Sequence, residues 1–545
     1  AATRSPVHRD QAMVVTSHEL ATEVGVNVLK DGGNAVDAAI AVGFALAAVY
    51  PTAGNIGGGG FMVIRFPDGS ATTIDFREKA PMKAHRNMYL DENGEIIDDL
   101  SLTGYLASGV PGTVAGLEMA HRKFGTIKWQ RLVKPAIDFA KKGFVVGERF
   151  AGELNKLAPV FSKFPSSQKV FMKKNGEPYI KNDVFKQPDL ANTLKQISKK
   201  GADGFYKGKV AELIAKDMAK NGGLITKEDL ADYQAVERKP IRGIYRGHEI
   251  ISMGPPSSGG IAIVQILNIL EKYDLRQLGY HSSKYVHLLA ETFKRVYFDR
   301  ARYLGDLDFV SVPVDSLTSK DYADSLRKTI DMQRAIPAQE ISKNQQQLIE
   351  GNHTTHYSIV DRNGMMIAVT TTINSGYGSK VVVDGAGFLM NNEMDDFAAK
   401  PGKPNTYGLV SYEVNAIVSE KRMLSSMSPT IILKEGKPYM TLGSMGGSRI
   451  ITAVLQIILN VIDHGMNIQQ AVDAPRIHHQ WLPDVIRCER FAFPLDVTHN
   501  LRQMGHEIQF SNHYSSEAHA ILIDPENQVL HGAADSRYTG TADGY

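Results

Sequence analysis

Thr354-Thr355-His356-Tyr357-Ser358-Ile359-Val360 runs into Asp361-Arg362-Asn363-Gly364 and then into Met365 to Ile373. The first run has strand composition, the second is a hairpin turn signal, and the third reads as the return strand. If Asn363-Gly364 is a two-residue turn, Arg362 faces Met365 and Thr355 lies opposite Thr372. A turn one residue earlier sets Thr354 opposite Thr371. Either register puts a threonine of the return strand beside Thr354 or Thr355. The resulting hydroxyl cluster stands at the head of a strand, just after residues 336–352, which are polar and read as an exposed, mobile segment.

Threonine is common in strands, so β-propensity alone accounts for such a cluster. The functional reading is an N-terminal nucleophile. Cutting the peptide bond before Thr354 frees an α-amine with a reference pKa of about 8. That amine can accept the proton of the Thr354 hydroxyl, which places nucleophile and base on one residue. No histidine or aspartate triad is needed, and an exposed lead-in lets the new ends separate.

Upstream, Thr16-Ser17-His18-Glu19 reads as a capping box opening a helix that stops at Asp31-Gly32-Gly33. Asn34 can cap the next helix, which ends before Pro51. It holds the longest apolar run, Ala38–Val49, which is shorter than the roughly 18 to 20 residues that span a bilayer, so a buried helix is expected. Gly54-Asn55-Ile56-Gly57-Gly58-Gly59-Gly60 leads into the strand-like Phe61–Arg65. No Gly-Lys-Ser/Thr follows and the order is loop then strand. Close backbone approach is therefore favoured over a phosphate loop. Residues 110–350 read as mostly helical, with Lys141-Lys142 and Lys199-Lys200 on solvated faces. Pro255-Pro256-Ser257-Ser258-Gly259-Gly260 reads as a structured loop before apolar helices. There is no internal repeat.

The 545 residues are 43% hydrophobic and 22% charged, which excludes a mostly disordered or fibrous chain. Length alone suggests roughly three or four domains. A net charge of +2 supplies no strong field for nucleic acid or anionic lipid. The single cysteine, Cys488, excludes an intrachain disulfide and a cysteine-based zinc site. His478-His479 has no evident third ligand, so neither a metal nor a cofactor is assigned. The chain opens at Ala1 without methionine, as expected of a mature form whose signal peptide has been removed.

Four motifs stand in order: Thr354-Thr355-His356-Tyr357-Ser358; Asn391-Asn392-Glu393-Met394-Asp395-Asp396-Phe397; Leu424-Ser425-Ser426-Met427-Ser428-Pro429-Thr430; and Gly446-Gly447-Ser448-Arg449. With Gly32-Gly33-Asn34-Ala35, Ala53-Gly54-Asn55, Asp75-Phe76-Arg77-Glu78, Pro111–Gly116, Asn221-Gly222-Gly223 and Pro255–Gly260, they resemble the signatures of bacterial γ-glutamyltransferases (γ-glutamyl transpeptidases) almost end to end. The resemblance implies an α+β N-terminal-nucleophile hydrolase fold, a four-layer αββα sandwich. It also implies a precursor that cuts itself between His353 and Thr354 into a large subunit (1–353) and a small subunit (354–545) that stay together as a heterodimer. The implied reaction removes a γ-glutamyl group from glutathione or related amides and passes it to water, an amino acid or a peptide. No nucleic acid or membrane span is expected, and the implied location is periplasmic or secreted.

By the same resemblance, Thr354 is the nucleophile and Thr372 hydrogen-bonds it. Gly446 and Gly447 supply the oxyanion hole, just before the apolar run Ile450–Ile462. Arg77, helped by Ser425 and Ser426, binds the α-carboxylate, while Asn374, Glu393 and Asp396 receive the α-ammonium. Pro401 to Val410, with Tyr407, resembles a lid loop over the site. Taken singly, each has a plainer reading: an ion pair of Arg77 with Asp75 or Glu78, a turn at Asp395-Asp396, loop polarity at Ser425-Ser426. A γ-glutamyl head carries both a free carboxylate and a free ammonium, which suits a guanidinium facing carboxylates. The pattern departs from the family at Ser411-Tyr412-Glu413-Val414-Asn415-Ala416, usually Gly-Gly-Asp-Ala-Asn-Ala. It departs again at Met423, Met445 and Ser536, where proline is common. Competing expectations are a cephalosporin or glutaryl acylase, a polyglutamate-processing enzyme, and an inactive binding homologue that stays one chain.

Overall fold

The computed structural model describes residues 4–341, 354–511 and 516–545. Two seven-stranded antiparallel sheets form its centre. The first runs Thr541–Gly544, Met13–Thr16, Thr354–Val360, Met366–Thr372, Gly59–Arg65, Ala71–Asp75 and Val236–Arg238. The second runs Val7–Arg9, Leu530–Ala534, Ala518–Ile523, Lys437–Ser444, Thr430–Lys434, His248–Ser252 and Ile241–Tyr245. The sheets face each other, the Thr354–Val360 strand packing on Lys437–Ser444 and Ala518–Ile523. Helices cover both outer faces. Ala35–Val49 lies on the first sheet, and Gly259–Leu270 and Arg449–Ile462 lie on the second. This is the αββα sandwich, and each sheet contains strands from both sides of Thr354.

The Ala35–Val49 helix is buried on every side, as its unbroken apolar composition requires. Asn34 and Asp37 cap it reciprocally, and Tyr50 closes it ahead of Pro51. Tyr357 reaches it from the Thr354–Val360 strand: a Cβ at Gly43 would lie 3.0 Å from the Tyr357 hydroxyl oxygen. The glycine run acts by close approach. A Cβ at Gly58 would lie 2.1 Å from the Thr372 carbonyl oxygen and one at Gly60 2.4 Å from that of Thr370. Bare backbone is what lets the Gly59–Arg65 strand pair along the whole of Met366–Thr372.

Several expectations are corrected. The hairpin pairs Thr354 with Thr372 and Thr355 with Thr371, between the two registers expected. Its loop has three residues, not two: the Asp361 amide donates to the Met365 carbonyl, and Gly364 takes φ 77°. Asp361 Oδ1 accepts from the Asn363 and Met365 amides, which stabilises this longer turn. The first helix, Glu19–Lys30, is capped by His18 Nδ1 rather than by Thr16; the Thr16 hydroxyl turns back on the His18 backbone. Residues 110–350 include the three strands between Val236 and Ser252, whose short alternation was hidden among helices. Of the polar lead-in, Ala338–Ile341 is a short helix with Ala338 buried against Asp484, while 342–352 and the residue His353 lie outside the described residues.

Candidate active site

The alternation of a strand sends Thr354 and Thr355 to opposite faces. Thr355 Oγ1 lies 2.8 Å from Ser17 Oγ, while Thr354 Oγ1 lies 3.4 Å from Thr372 Oγ1. Thr372 Oγ1 also accepts the Asn374 amide at 2.7 Å. Asn374 sits at φ 70°, and its Nδ2 holds the Asn392 carbonyl at 2.9 Å. The end of the return strand is thus tied by Asn374 to the loop of the Asn391–Phe397 motif. Asn391 fixes that loop, bridging the Gly57 and Gly109 carbonyls at 2.8 Å each.

Thr354, Thr372, Asn374, Arg77, Glu393 and Asp396 line one cavity of about 20 Å³, closed further by Tyr407, Ser425, Ser426 and Gly447. Gly446 precedes Gly447 at the start of the Arg449–Ile462 helix, and the Gly446 and Gly447 carbonyls accept from Arg449 and Ile450. Gly447 must be glycine: its φ is 55°, and a Cβ there would meet the Tyr407 ring at 2.4 Å. The molecule has larger cavities, of 720 Å³ beside Tyr50 and Arg149 and 740 Å³ beside Phe491. Neither is lined by the paired hydroxyls and facing charges that chemistry on an acyl group needs.

Arg77 is fully buried among carboxylates. Its terminal nitrogens reach Glu393, Asp396 at 2.5 Å and Glu78 at 3.5 Å, and Nε donates to the Met423 carbonyl at 3.2 Å. The backbone of Arg77 is set by its amide on Asp75 Oδ1 at 2.9 Å. Asp75 itself pairs with Arg238 at 2.7 Å. Burial raises Glu393 and Asp396 above the usual carboxylate range despite Arg77, and it raises Glu78 to about 7. Three like charges around one guanidinium reinforce those shifts. The loop holding Tyr407 is tied to the same acids: Asn405 Nδ2 donates to Asp396 Oδ1 at 3.2 Å and the Thr406 amide to Asp395 Oδ2 at 3.2 Å.

Two of the departures are neutralised locally. The Met445 amide donates to the Glu517 carbonyl at 2.8 Å, a bond proline lacks, so the Gly446-Gly447 turn is anchored by other means. Ser536 donates through its amide and hydroxyl to Asp473 at 3.1 and 2.9 Å. Of the altered 411–416 segment, Glu413 pairs with Arg86 and Asn415 bonds the Asp396 carbonyl and the Leu424 amide. Nothing in the structure explains Met423. His478 bonds Thr452 and Gln480, and His479 bonds Asp484 and the Trp481 amide. Cys488 is buried, and burial pushes its thiol up to about 12.

Sequence reasoning missed Arg300. It is buried in the Ser283–Tyr303 helix, with its side chain on Ser258 and Ser426. Nothing distinguishes it in sequence from a surface arginine on an amphipathic helix. Glu78 was read only as a partner for Arg77, and its contact with the cluster depends on the turn after Asp75.

A sequence profile described as Gamma-glutamyltranspeptidase matches residues 21–545. The glutathione hydrolase proenzyme of Escherichia coli K12 is 50% identical over 98% of this chain and 91% of its own. Among solved structures, a cephalosporin acylase from Bacillus halodurans superposes with a TM-score of 0.88 at 27% identity, covering 100% of this chain and 98% of that one. A γ-glutamyltranspeptidase chain from Helicobacter pylori is 52% identical with a TM-score of 0.59, covering 62% of this chain and 94% of its own. The profile match over residues 21–545 and a relative 50% identical over 98% of this chain leave one conclusion: the chain belongs to the γ-glutamyltranspeptidase family.

Proposed function

We propose that this enzyme is an autoprocessed γ-glutamyltransferase, acting on glutathione and related γ-glutamyl amides through a γ-glutamyl ester on Thr354. The observation that carries the reading is the meeting, in one cavity, of the Thr354–Thr372 hydroxyl pair with Arg77 set between Glu393 and Asp396. A zwitterionic amino-acid head offers its carboxylate to Arg77 and its ammonium to the two acids. Each buried charge then keeps an opposite partner, which matters because an unpaired buried charge costs about 3 to 5 kcal/mol.

In the proposed cycle, cleavage before Thr354 yields subunits 1–353 and 354–545, held together as a heterodimer by their shared sheets. The new α-amine takes the Thr354 hydroxyl proton as Oγ1 attacks the γ-carbonyl. Thr372 Oγ1 holds the nucleophile's oxygen in line. The Gly446-Gly447 turn supplies the amide donors for the oxyanion at the positive end of the Arg449–Ile462 helix. The amine gives its proton to the departing amide nitrogen, and the ester remains. Water, or the amino group of an amino acid or peptide, then attacks that ester and regenerates Thr354. Tyr407 and its loop cover the reacting end and limit water. The family resemblance supports a periplasmic or secreted location; among the described residues no helix is long and apolar enough to cross a membrane.

The superposition on a cephalosporin acylase favours one second reading, a glutaryl acylase. A glutaryl group brings no ammonium to Glu393 and Asp396. The test is turnover of a γ-glutamyl anilide and a glutaryl anilide by protein whose mass shows cleavage before Thr354. Turnover of the first alone supports the transferase. Turnover of the second alone makes the protein an acylase, and an uncut, inert chain makes it a binding homologue.

A further inference from the structure

Arg300 lies in the wall behind Ser425-Ser426. It is 4% exposed, and among the described residues no carboxylate pairs with it. Its partners are hydroxyls: Nε donates to Ser258 Oγ at 3.0 Å, and a terminal nitrogen donates to Ser426 Oγ at 3.3 Å. Burial brings the guanidinium down to about 10, with nearby Arg77 acting in the same direction and Asp396 against it, so it is charged at neutral pH.

The direction of these bonds is fixed by chemistry, because arginine has donors and no acceptor. Ser426 Oγ must therefore accept, which leaves its own proton to be given to something else in the cavity it lines. Ser258, held in the same way, turns its proton onto the Ser425 carbonyl at 2.7 Å, and its amide donates there at 2.8 Å. Ser425 Oγ in turn accepts the Met427 amide at 3.1 Å. Each serine oxygen of the pair thus accepts one bond from the protein side, Ser426 from Arg300 and Ser425 from the Met427 amide, and keeps its own proton to donate. Two donors with a buried cation behind them suit an anion and repel an ammonium.

We infer that Arg300 is a positioning residue for substrate specificity: through Ser258 and Ser426 it makes the serine pair a donor site for the α-carboxylate of the γ-glutamyl group. The inference rests on the γ-glutamyl reading above. Its test compares kcat/KM on three anilides: γ-glutamyl, glutaryl, which keeps only the carboxylate, and 4-aminobutyryl, which keeps only the amine. Wild-type enzyme that fails to prefer γ-glutamyl over 4-aminobutyryl overturns the γ-glutamyl reading itself, whatever Arg300 does.

With that preference in place, Arg300→Met should lose about 30-fold on the two carboxylate-bearing anilides, mainly through KM, and under about 3-fold on 4-aminobutyryl anilide. Equal losses on all three, or none, overturn the inference. Intact mass confirms cleavage before Thr354 in each preparation. If the methionine variant stays uncut, Arg300→Lys carries the test, with a loss of about 5-fold expected in the same selective pattern because an ammonium cannot reach both serines. Failure of both variants to mature makes Arg300 a scaffold residue and overturns the inference.

Discussion

At one end of the cavity, Thr354, Thr372 and Gly447 are neutral and stand on one hairpin and one helix start. At the other end, Arg77 meets Glu393 and the partly exposed Asp396, with Glu78 buried behind it; these charges come from two distant segments of the chain. The first end is assembled by register: once the Met366–Thr372 strand pairs with Thr354–Val360, the two hydroxyls must meet. The second is assembled by charge balance, and none of its groups is stable there without the others. Chemistry at the first end should therefore fail cleanly when one atom is removed. Recognition at the second end should fail together with stability and with a changed pH profile.

The sharpest break is Thr354→Ala, which removes the hydroxyl proposed to carry the ester at the proposed cleavage point. It should leave an uncut chain and less than about 10⁻⁴ of wild-type turnover, read by intact mass and γ-glutamyl anilide assay. Next, Arg77→Met leaves Glu393 and Asp396 without their shared cation. Loss of about 3 to 5 kcal/mol of stability and of nearly all turnover is expected, measured by denaturant unfolding and kinetics. Full stability in that variant would refute charge balance as the organising force. At the neutral end, Thr372→Val should lower kcat about 10- to 100-fold with unfolding unchanged within about 1 kcal/mol, and Thr372→Ser should restore most of it.

The pH contrast is finer. Glu78, at about 7, raises Glu393 by repulsion, and protonating these acids should weaken the proposed ammonium site as pH falls. Glu78→Gln removes that repulsion, so the acid limb of kcat/KM should move to lower pH while the alkaline limb stays; an unmoved acid limb would place the titration elsewhere. Glu78 likewise contributes stability that is full below the ordinary carboxylate range and is lost as pH rises through about 7. The smallest effect expected is that of Met445→Pro. It restores the family residue but deletes the amide bond to Glu517, costing about 1 kcal/mol in unfolding with little change in kcat.

The hairpin, the buried Ala35–Val49 helix and the glycine approach were legible because each rests on local chemistry: strand composition, an Asn cap, bare backbone. Even there the exact register was not, since Asp361 chose a three-residue loop that no composition rule favoured. The Val236–Ser252 strands escaped notice because they are short and lie among helices. Of the expected site residues, all but Gly446 line one cavity, and Gly446 directly precedes Gly447 in its wall. Arg300 did not announce itself, because an arginine's burial is decided by what packs over it.

The sequence by itself determined the Thr354–Val360 strand, the family and the kinds of side chain that line the cavity, since residue type and order carry that information. Only the tertiary structure decided which acids share Arg77 and which way each serine proton points. It also decided that Met445 and Ser536 anchor their turns where proline is usual. Those outcomes depend on desolvation and on hydrogen-bond direction between segments hundreds of residues apart, and neither exists until the two sheets have closed on one another.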